Sequence, residues 1–546
     1  MSKRIWLWVI PLLFIAVLFY WPLLKIIGLG LSSNWFEIYF EPATLKAIWF
    51  TIWQAALSTL IALVIGIPGA YVLYRKRFFG QRFIRALITV PLVLPTIVVA
   101  IVFSSFRAEH KIYEQIGLGF FFENSIYWII AAHVFVNYSL VVRTLGGVWA
   151  TMDNETEEAA ALAGAGRLRT TLLITLPQLK PAIVSASALT FLFCSSSYGI
   201  ILILGGGQVQ SVETQIATSA LQFLDLNKAA ALALLQTLIT VVAFSISEAI
   251  AKHPIGIEQV DESTRKPAVD ARDWPAVAIT ALAVIGMIGI PMLVLLAKAF
   301  TFDGGLSLQN FMNLAGRGDR ELLNISVWQA TLNTLRNVAI SASVAVVLGS
   351  LVSYLLSRTH RSRRARFSNR TIDLLFLIPI GISSVVLGFG YLITFGDGPL
   401  PIRASWLVVP IVQALMALPL VIRLIYPALI SIGAEHREAA ALAGANSRQT
   451  WWHIESGIIR HVILTAIGFA LIAGIGEFGA ASLLAYGDQA TLPTVLYALI
   501  SRPGETNYGM AMAVSAIMIV LTFVLVFSAS ARIPRRRRSI ALKSHR

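Results

Sequence analysis

Long runs of apolar residues, separated by short polar joints, set the pattern of this chain. A membrane helix needs about 20 mostly apolar residues. About twelve stretches meet that requirement: 5–31, 44–74, 86–106, 126–150, 181–204, 228–252, 274–299, 329–357, 371–396, 404–430, 460–486 and 509–531. The first follows Lys3 and Arg4, but its apolar run is too long for a signal-peptide core and no small-residue cleavage site follows. It reads as a retained helix. The pattern therefore predicts an all-α polytopic membrane protein.

Composition agrees. Of 546 residues, 57% are hydrophobic and 13% charged, against roughly 25% charged in soluble domains. A soluble enzyme and a disordered chain are both excluded. The single cysteine, Cys194, rules out a disulfide framework and a cysteine-based zinc site. The net charge of +15 has a topological reading. Most of the 43 Lys and Arg fall on one side if both termini are cytoplasmic, including Arg75 to Arg85, Arg358 to Arg370 and Arg535 to Arg538. That placement assigns the terminal basic run to orientation and anionic lipid, not to nucleic acid.

The most polar stretch, 253–275, divides the chain into two sets of six spans, 1–252 and 276–546. The sets are related. Trp53-Gln54-Ala55 recurs as Trp328-Gln329-Ala330. Glu158 to Ala165 recurs unchanged as Glu438 to Ala445. At the spacing of this second match, Arg143 meets Arg423, Tyr198 meets Phe478 and Leu204 meets Leu484. Six is even, so both sets enter the membrane in the same sense and form parallel repeats around a common path.

The repeated loop lies between the fourth and fifth spans of each set, on the basic side. Its alanines favour a short helix whose backbone can approach another surface closely. Gly164 and Gly166 permit a left-handed bend at its end, and Pro177 and Pro181 punctuate the entry to the next span. A short rigid helix, a glycine elbow and a membrane helix in series can carry a push from a cytoplasmic partner.

The spacing Glu-Ala-Ala-x3-Gly-x9-Ile-x-Leu-Pro resembles the signature loop of permease subunits of binding-protein-dependent ABC importers. The first copy matches with Glu158, Ala159, Ala160, Gly164, Ile174, Leu176 and Pro177. The second keeps Glu438, Ala439, Ala440, Gly444 and Ile454, with Ser456-Gly457 in place of Leu-Pro. The resemblance covers most of both halves and is closest to the fused double-length permeases of thiamine and ferric-iron importers. The thiamine branch is the nearer, through Leu204 to Gly207, Glu213, Ala229 to Gln236, Gly476 to Gly479 and Thr491 to Pro493. Ferric-iron and phosphonate permeases share the fused layout. The resemblance implies a type I importer fold. It implies that the loops at 151–180 and 431–460 seat in two copies of a separate ATPase subunit, and that an external binding protein delivers the solute.

The chain has no phosphate-cradling Gly-x4-Gly-Lys-Ser/Thr loop, so an ATP-driven role requires a separate ATPase. No metal-spaced Cys or His cluster and no nucleophile elbow is present, and neither a cofactor nor bond chemistry is expected. Charges inside a membrane are costly and mark function. Glu477 lies within a span, in the place of Ser197, and a carboxylate near a path suits a cationic solute. Tyr198 and Phe478, paired by the repeat, are candidates for a gate. His133 and Asn137 share a helix face and suit an interhelical hydrogen bond. Arg143 and Arg423 sit near the cytoplasmic ends of their spans, where snorkelling and a link to the following loop are expected. The rivals are an ion-coupled secondary transporter with parallel repeats and a membrane enzyme acting on lipid-linked substrate. The first needs ionisable coupling groups and only Glu477 stands out; the second needs an interfacial acid or histidine cluster, and none is found.

Overall fold

The computed structural model describes residues 6–32, 34–107, 124–152, 155–250, 267–357, 372–396, 405–432, 440, 442–450, 452–453 and 456–531. Residues 253–266 of the expected linker, and Glu438 and Ala439, lie outside the described residues.

The first set of helices runs α1 (Trp6–Leu31), α2 (Trp35–Phe40), α3 (Pro42–Arg75), α4 (Gln81–Val93), α5 (Thr96–Arg107), α6 (Ser125–Thr151), α7 (Glu155–Leu162), α8 (Arg167–Ser195), α9 (Gly199–Leu204), α10 (Val212–Leu221) and α11 (Leu226–Ile250). The second set repeats it: α12 (Ala271–Ala299), α13 (Val327–Ser357), α14 (Ile372–Gly381), α15 (Ser384–Phe395), α16 (Val408–Ser431), α17 (Ser456–Ile475), α18 (Gly479–Leu484), α19 (Leu492–Ile500) and α20 (Glu505–Ala531). A two-stranded hairpin, Thr301–Phe302 against Gly305–Leu306, follows α12 and has no counterpart among the described residues of the first set.

Nine of the helices are long and apolar enough to cross a membrane, among the described residues, and up to eleven spans result if each bent pair counts as one. The bent pairs correct the expectation of straight helices at 86–106 and 371–396. Helices α4 and α5 meet at 104°, and α14 and α15 at 102°. The first break has a steric cause. Leu94 precedes Pro95 and is driven out of the helical region, to φ −65° and ψ 139°. At the second, Ser383 caps α15 by accepting the Val386 N–H at 3.1 Å. The expected spans 181–204 and 460–486 also stop early. Each breaks into a long helix ending at Ser195 or Ile475 and a separate short helix, α9 or α18.

The repeat extends to local chemistry. Helix α10 opens on a reciprocal cap between Ser211 and Thr214, and α19 on the same cap between Thr491 and Thr494. The next amide is also held alike: Val212 N–H donates to Thr51 Oγ1 at 3.0 Å, and Leu492 N–H to Thr334 Oγ1 at 2.8 Å. Gly66 faces Val141 as Gly349 faces Val421. These contacts set the register of α3 against α13: Thr51 answers to Thr334, and Gly66 to Gly349. The shared Trp-Gln-Ala string suggested a different alignment, with Trp53 answering to Trp328. The string is displaced by about two turns between the two helices.

Each set reaches around the other. Helix α1 lies on α15 of the second set, with Tyr391 Oη donating to the Leu18 carbonyl at 2.7 Å and Trp21 edge-on to Phe395 at 5.6 Å. Helix α12 lies on α5 of the first, where Lys298 Nζ donates to the Ser105 carbonyl at 2.9 Å. At the entry to α12 the halves are pinned by charge. Lys76 Nζ and Asp273 Oδ2 are 2.7 Å apart and nearly sealed from solvent, with Tyr71 Oη donating to Asp273 Oδ1 at 2.9 Å. Burial alone lowers the Lys76 ammonium; its bonds to Asp273 and Tyr71 outweigh this and hold it above the ordinary lysine range.

This packing can be tested at two places. A Cβ on Gly66 or Gly349 falls 2.5 Å or 2.6 Å from a valine methyl, so Gly66→Val and Gly349→Val each destabilise by about 1–3 kcal/mol, read as similar falls in the melting temperature of the detergent-purified chain. Asp273→Ala strands a buried ammonium and costs about 3–5 kcal/mol; an unchanged melting temperature contradicts the pin.

Candidate functional site

Two features recur in both halves: a loop on one face and a broken helix at the centre. In the first loop, α7 ends in a left-handed glycine. Gly164 has φ +83°, the Ala165 N–H donates to the Ala160 carbonyl at 2.9 Å, and the Gly164 N–H to the Ala161 carbonyl at 3.0 Å. This pair of bonds satisfies carbonyls that the helix end leaves open. Gly444, at φ +79°, and the 2.9 Å bond from Ala445 N–H to the Ala440 carbonyl rebuild the same turn in the second loop.

Glu158 and Ala159 are exposed, while Ala160 is half-buried and Ala440 buried. The following leucine stands clear of the protein in both copies, Leu162 at 91% exposure and Leu442 at 90%. Gly166 then opens the extended step into α8. A π-helical turn, Thr171–Thr175, precedes Pro177 and absorbs it without a stop.

The first loop is tied down by residues that sequence reasoning overlooked. Glu157, not Glu158, holds it: Arg75 Nη2 pairs with Glu157 Oε2 at 2.9 Å and Thr175 Oγ1 donates to Glu157 Oε1 at 2.9 Å. Arg75 also donates to the Met152 carbonyl at 3.0 Å. In the sequence Arg75 is one topological charge among many, and its neighbourhood carries no sign of the pairing. Together these bonds join the ends of α3, α7 and α8.

At the centre, Tyr198 and Phe478 stack on each other. Their rings are 5.4 Å apart and 22° from parallel, and both are buried. Residues equivalent by the repeat touch each other only where a twofold axis passes between them. The stack therefore marks the pseudosymmetry axis between the halves. Tyr497 lies against Phe478 at 5.7 Å. It also lines a cavity of about 350 Å³ together with Gln210, Thr214, Thr218, Gln222 and Ser501. The cavity wall is divided between these polar side chains and the aliphatic Ile201, Leu202, Ile203, Val209 and Ile500.

Glu477 lies immediately before the stacked ring. Its Oε1 accepts the Ala480 N–H at 2.7 Å and its Oε2 the Ala481 N–H at 3.1 Å. The carboxylate thus satisfies the first amides of α18 and meets the positive end of its dipole. Ser197 occupies that place in the first half, and its hydroxyl is buried without a partner. Several other membrane polar groups make local contacts, whereas both ring nitrogens of His133 are buried without a partner. Asn137 Nδ2 donates to the His133 carbonyl at 2.9 Å and to Cys194 Sγ at 3.4 Å, linking α6 to α8. Arg143 reaches Thr89 on α4 at 3.2 Å, and Arg423 lies over the Phe244 ring at 5.5 Å, across the halves.

With this geometry in view, known proteins place the chain. The family model described as "binding-protein-dependent transport system inner membrane component" matches residues 62–254 and again 345–539. The thiamine transport system permease protein of Salmonella typhimurium is 26% identical over 514 residues, 92% of each chain. That of Brucella abortus (strain 2308) is 27% identical over 488 residues, 88% of this chain and 86% of the relative. A probable sulfate transport system permease protein of Chlorokybus atmophyticus is 31% identical over 208 residues, 37% of this chain and 72% of the relative. Two matched segments in one apolar chain, each with its own loop and broken helix, make this a double-length member of the family of binding-protein-dependent transport system inner membrane components.

Proposed function

We propose that the chain is the translocating subunit of an ATP-driven importer for thiamine. The observation that carries this reading is the pairing of Tyr198 with Phe478 on the axis between two halves that each present a glycine-ended helix on one face. Similarity to thiamine permeases along nine-tenths of the chain supports the solute. The cavity beside the stack, with its hydroxyls, amides and the ring of Tyr497, suits a flat heteroaromatic molecule.

The two repeats, 1–252 and 276–546 joined by 253–275, enclose one path. Both termini lie in the cytoplasm, because most basic residues then lie inside. Two copies of a separate ATPase subunit dock from below, one on Glu158, Ala159, Ala160 and Gly164, the other on Glu438, Ala439, Ala440 and Gly444. Closure of that pair moves the two loops. The Arg75–Glu157–Thr175 tie passes the first loop's movement to α3 and α8. The halves then rock about the axis, the Tyr198–Phe478 stack parts, and an external binding protein releases its solute between them. Glu477 acts on the path through the short helix it caps. The chain makes and breaks no bond of the solute; anionic lipid meets the basic inner surface.

In liposomes holding the chain, its ATPase and its binding protein, labelled thiamine accumulates only with ATP. The double variant Glu158→Ala, Glu438→Ala abolishes that uptake; uptake by the chain alone under an ion gradient overturns the reading. The exposed leucines give a second test. Burying a leucine against a partner stabilises by about 1.5–3 kcal/mol. Leu162→Ala or Leu442→Ala is therefore expected to weaken ATPase binding roughly tenfold or more, measured by biolayer interferometry on nanodisc-embedded chain.

A further inference from the structure

The chain holds a second deeply buried acid whose surroundings are opposite to those of Glu477. Glu213, at the start of α10, has 0% exposure, and neither carboxylate oxygen makes a hydrogen bond of full geometry, the donors beside it being Ser383 and Gln236. Glu477, by contrast, is met by two amides. Holding an ionised carboxylate in an apolar interior without a donor costs several kcal/mol. Helix architecture does not account for the residue. The equivalent position in the second half is Pro493, inside the same reciprocal cap, so α10 and α19 start alike with or without the acid.

Its neighbours connect it to the path. Thr214, next in sequence, lines the cavity. Tyr198, one face of the axial stack, lies close enough to Glu213 to feel its charge. Ser383 on the second half and Gln236 on α11 stand beside the carboxyl. One N–H of the Gln236 amide donates to the Ser195 carbonyl at 3.2 Å, and its side-chain oxygen is without a partner. Around Glu213, then, the polar neighbours are a neutral hydroxyl and a neutral amide, and no cation acts on the carboxyl among the described residues.

We propose that Glu213 is the cation-recognising group of the path, pairing with the positive charge of an aromatic solute when the Tyr198–Phe478 stack opens. This rests on the thiamine reading and deepens it: thiamine carries a quaternary thiazolium, which no hydrogen bond can neutralise. A carboxylate on one side and electron-rich ring faces on the other complement such a charge. In the closed arrangement the carboxyl is buried near Tyr198, and in the open one it is uncovered beside the cavity. Because Pro493 takes the equivalent place, the path carries one such charge, on one side of the axis.

Two measurements test this. In the reconstituted complex, Glu213→Gln lowers thiamine taken up per ATP hydrolysed at least tenfold, and Glu213→Asp restores part of it; a structural role alone lowers uptake and hydrolysis together and leaves the ratio unchanged. On the wild-type chain in nanodiscs, the apolar reagent dicyclohexylcarbodiimide labels Glu213, located by peptide mass spectrometry. N-Methylthiazolium suppresses that labelling severalfold, and uncharged 4-methylthiazole does not. A wild-type ratio in Glu213→Gln, or equal labelling with both compounds, overturns the proposal. If wild-type complex fails to take up thiamine while the thiazolium still protects, the thiamine reading falls and the cation site stands.

Discussion

An unpaired backbone group inside a membrane has no water to turn to, and this constraint governs the centre of the molecule. The path needs two helices that stop between the halves, and each stop exposes amides and carbonyls. Local partners meet them. Thr51 and Thr334 accept the first amides of α10 and α19, Glu477 accepts those of α18, and Ser383 caps α15. Only because these ends are satisfied do Tyr198 and Phe478 come face to face on the axis. The stack is thus a consequence of helix capping, repeated twice.

The loops solve a matching problem of their own. In the proposed cycle they transmit a push, and a helix that pushes must end abruptly, or its last turn frays and the movement is lost. The left-handed glycine at Gly164 and Gly444 closes the helix and turns the chain sharply. The leucine two positions before it is left projecting in both copies. In the proposed complex, this apolar side chain held out at the same place twice is where the ATPase docks. The first loop is also braced by Glu157. The repeat that pairs Glu158 with Glu438 pairs Glu157 with Arg437, so the second loop cannot use the same brace.

Much of this was legible from residue order. The number of apolar stretches, the two loops and the pairing of Tyr198 with Phe478 all follow from periodicity and from the string that recurs unchanged from Glu158 to Ala165. What was not legible concerns direction and distance. Hydropathy reports that 86–106 is apolar, not that it bends by 104° at Leu94; Pro95 carried the signal, but a proline in a membrane helix is often tolerated. The Trp-Gln-Ala string suggested one register for α3 against α13, while Thr51 and Thr334 fix another. Short identity was a weaker guide than a shared hydrogen bond. Glu477 drew attention as a charge in a span, yet whether a buried carboxylate is satisfied depends on the amides of Ala480 and Ala481. Glu213 passed as one letter of a family likeness, because the lack of a partner is visible only in three dimensions.

The two halves diverge where a path must be asymmetric. Packing positions are kept in pairs, such as Gly66 with Gly349 and Val141 with Val421. Capping hydroxyls are kept in pairs as well. These two buried acids are not: Glu477 answers to Ser197, and Glu213 to Pro493. A duplicated frame supplies a twofold axis, but a small organic solute has no such symmetry. Its charged end must be met by one half and its uncharged end by the other. In the proposed cycle, symmetry therefore serves the movement, where both halves rock together, and its loss serves recognition, where one carboxylate pairs with one positive charge.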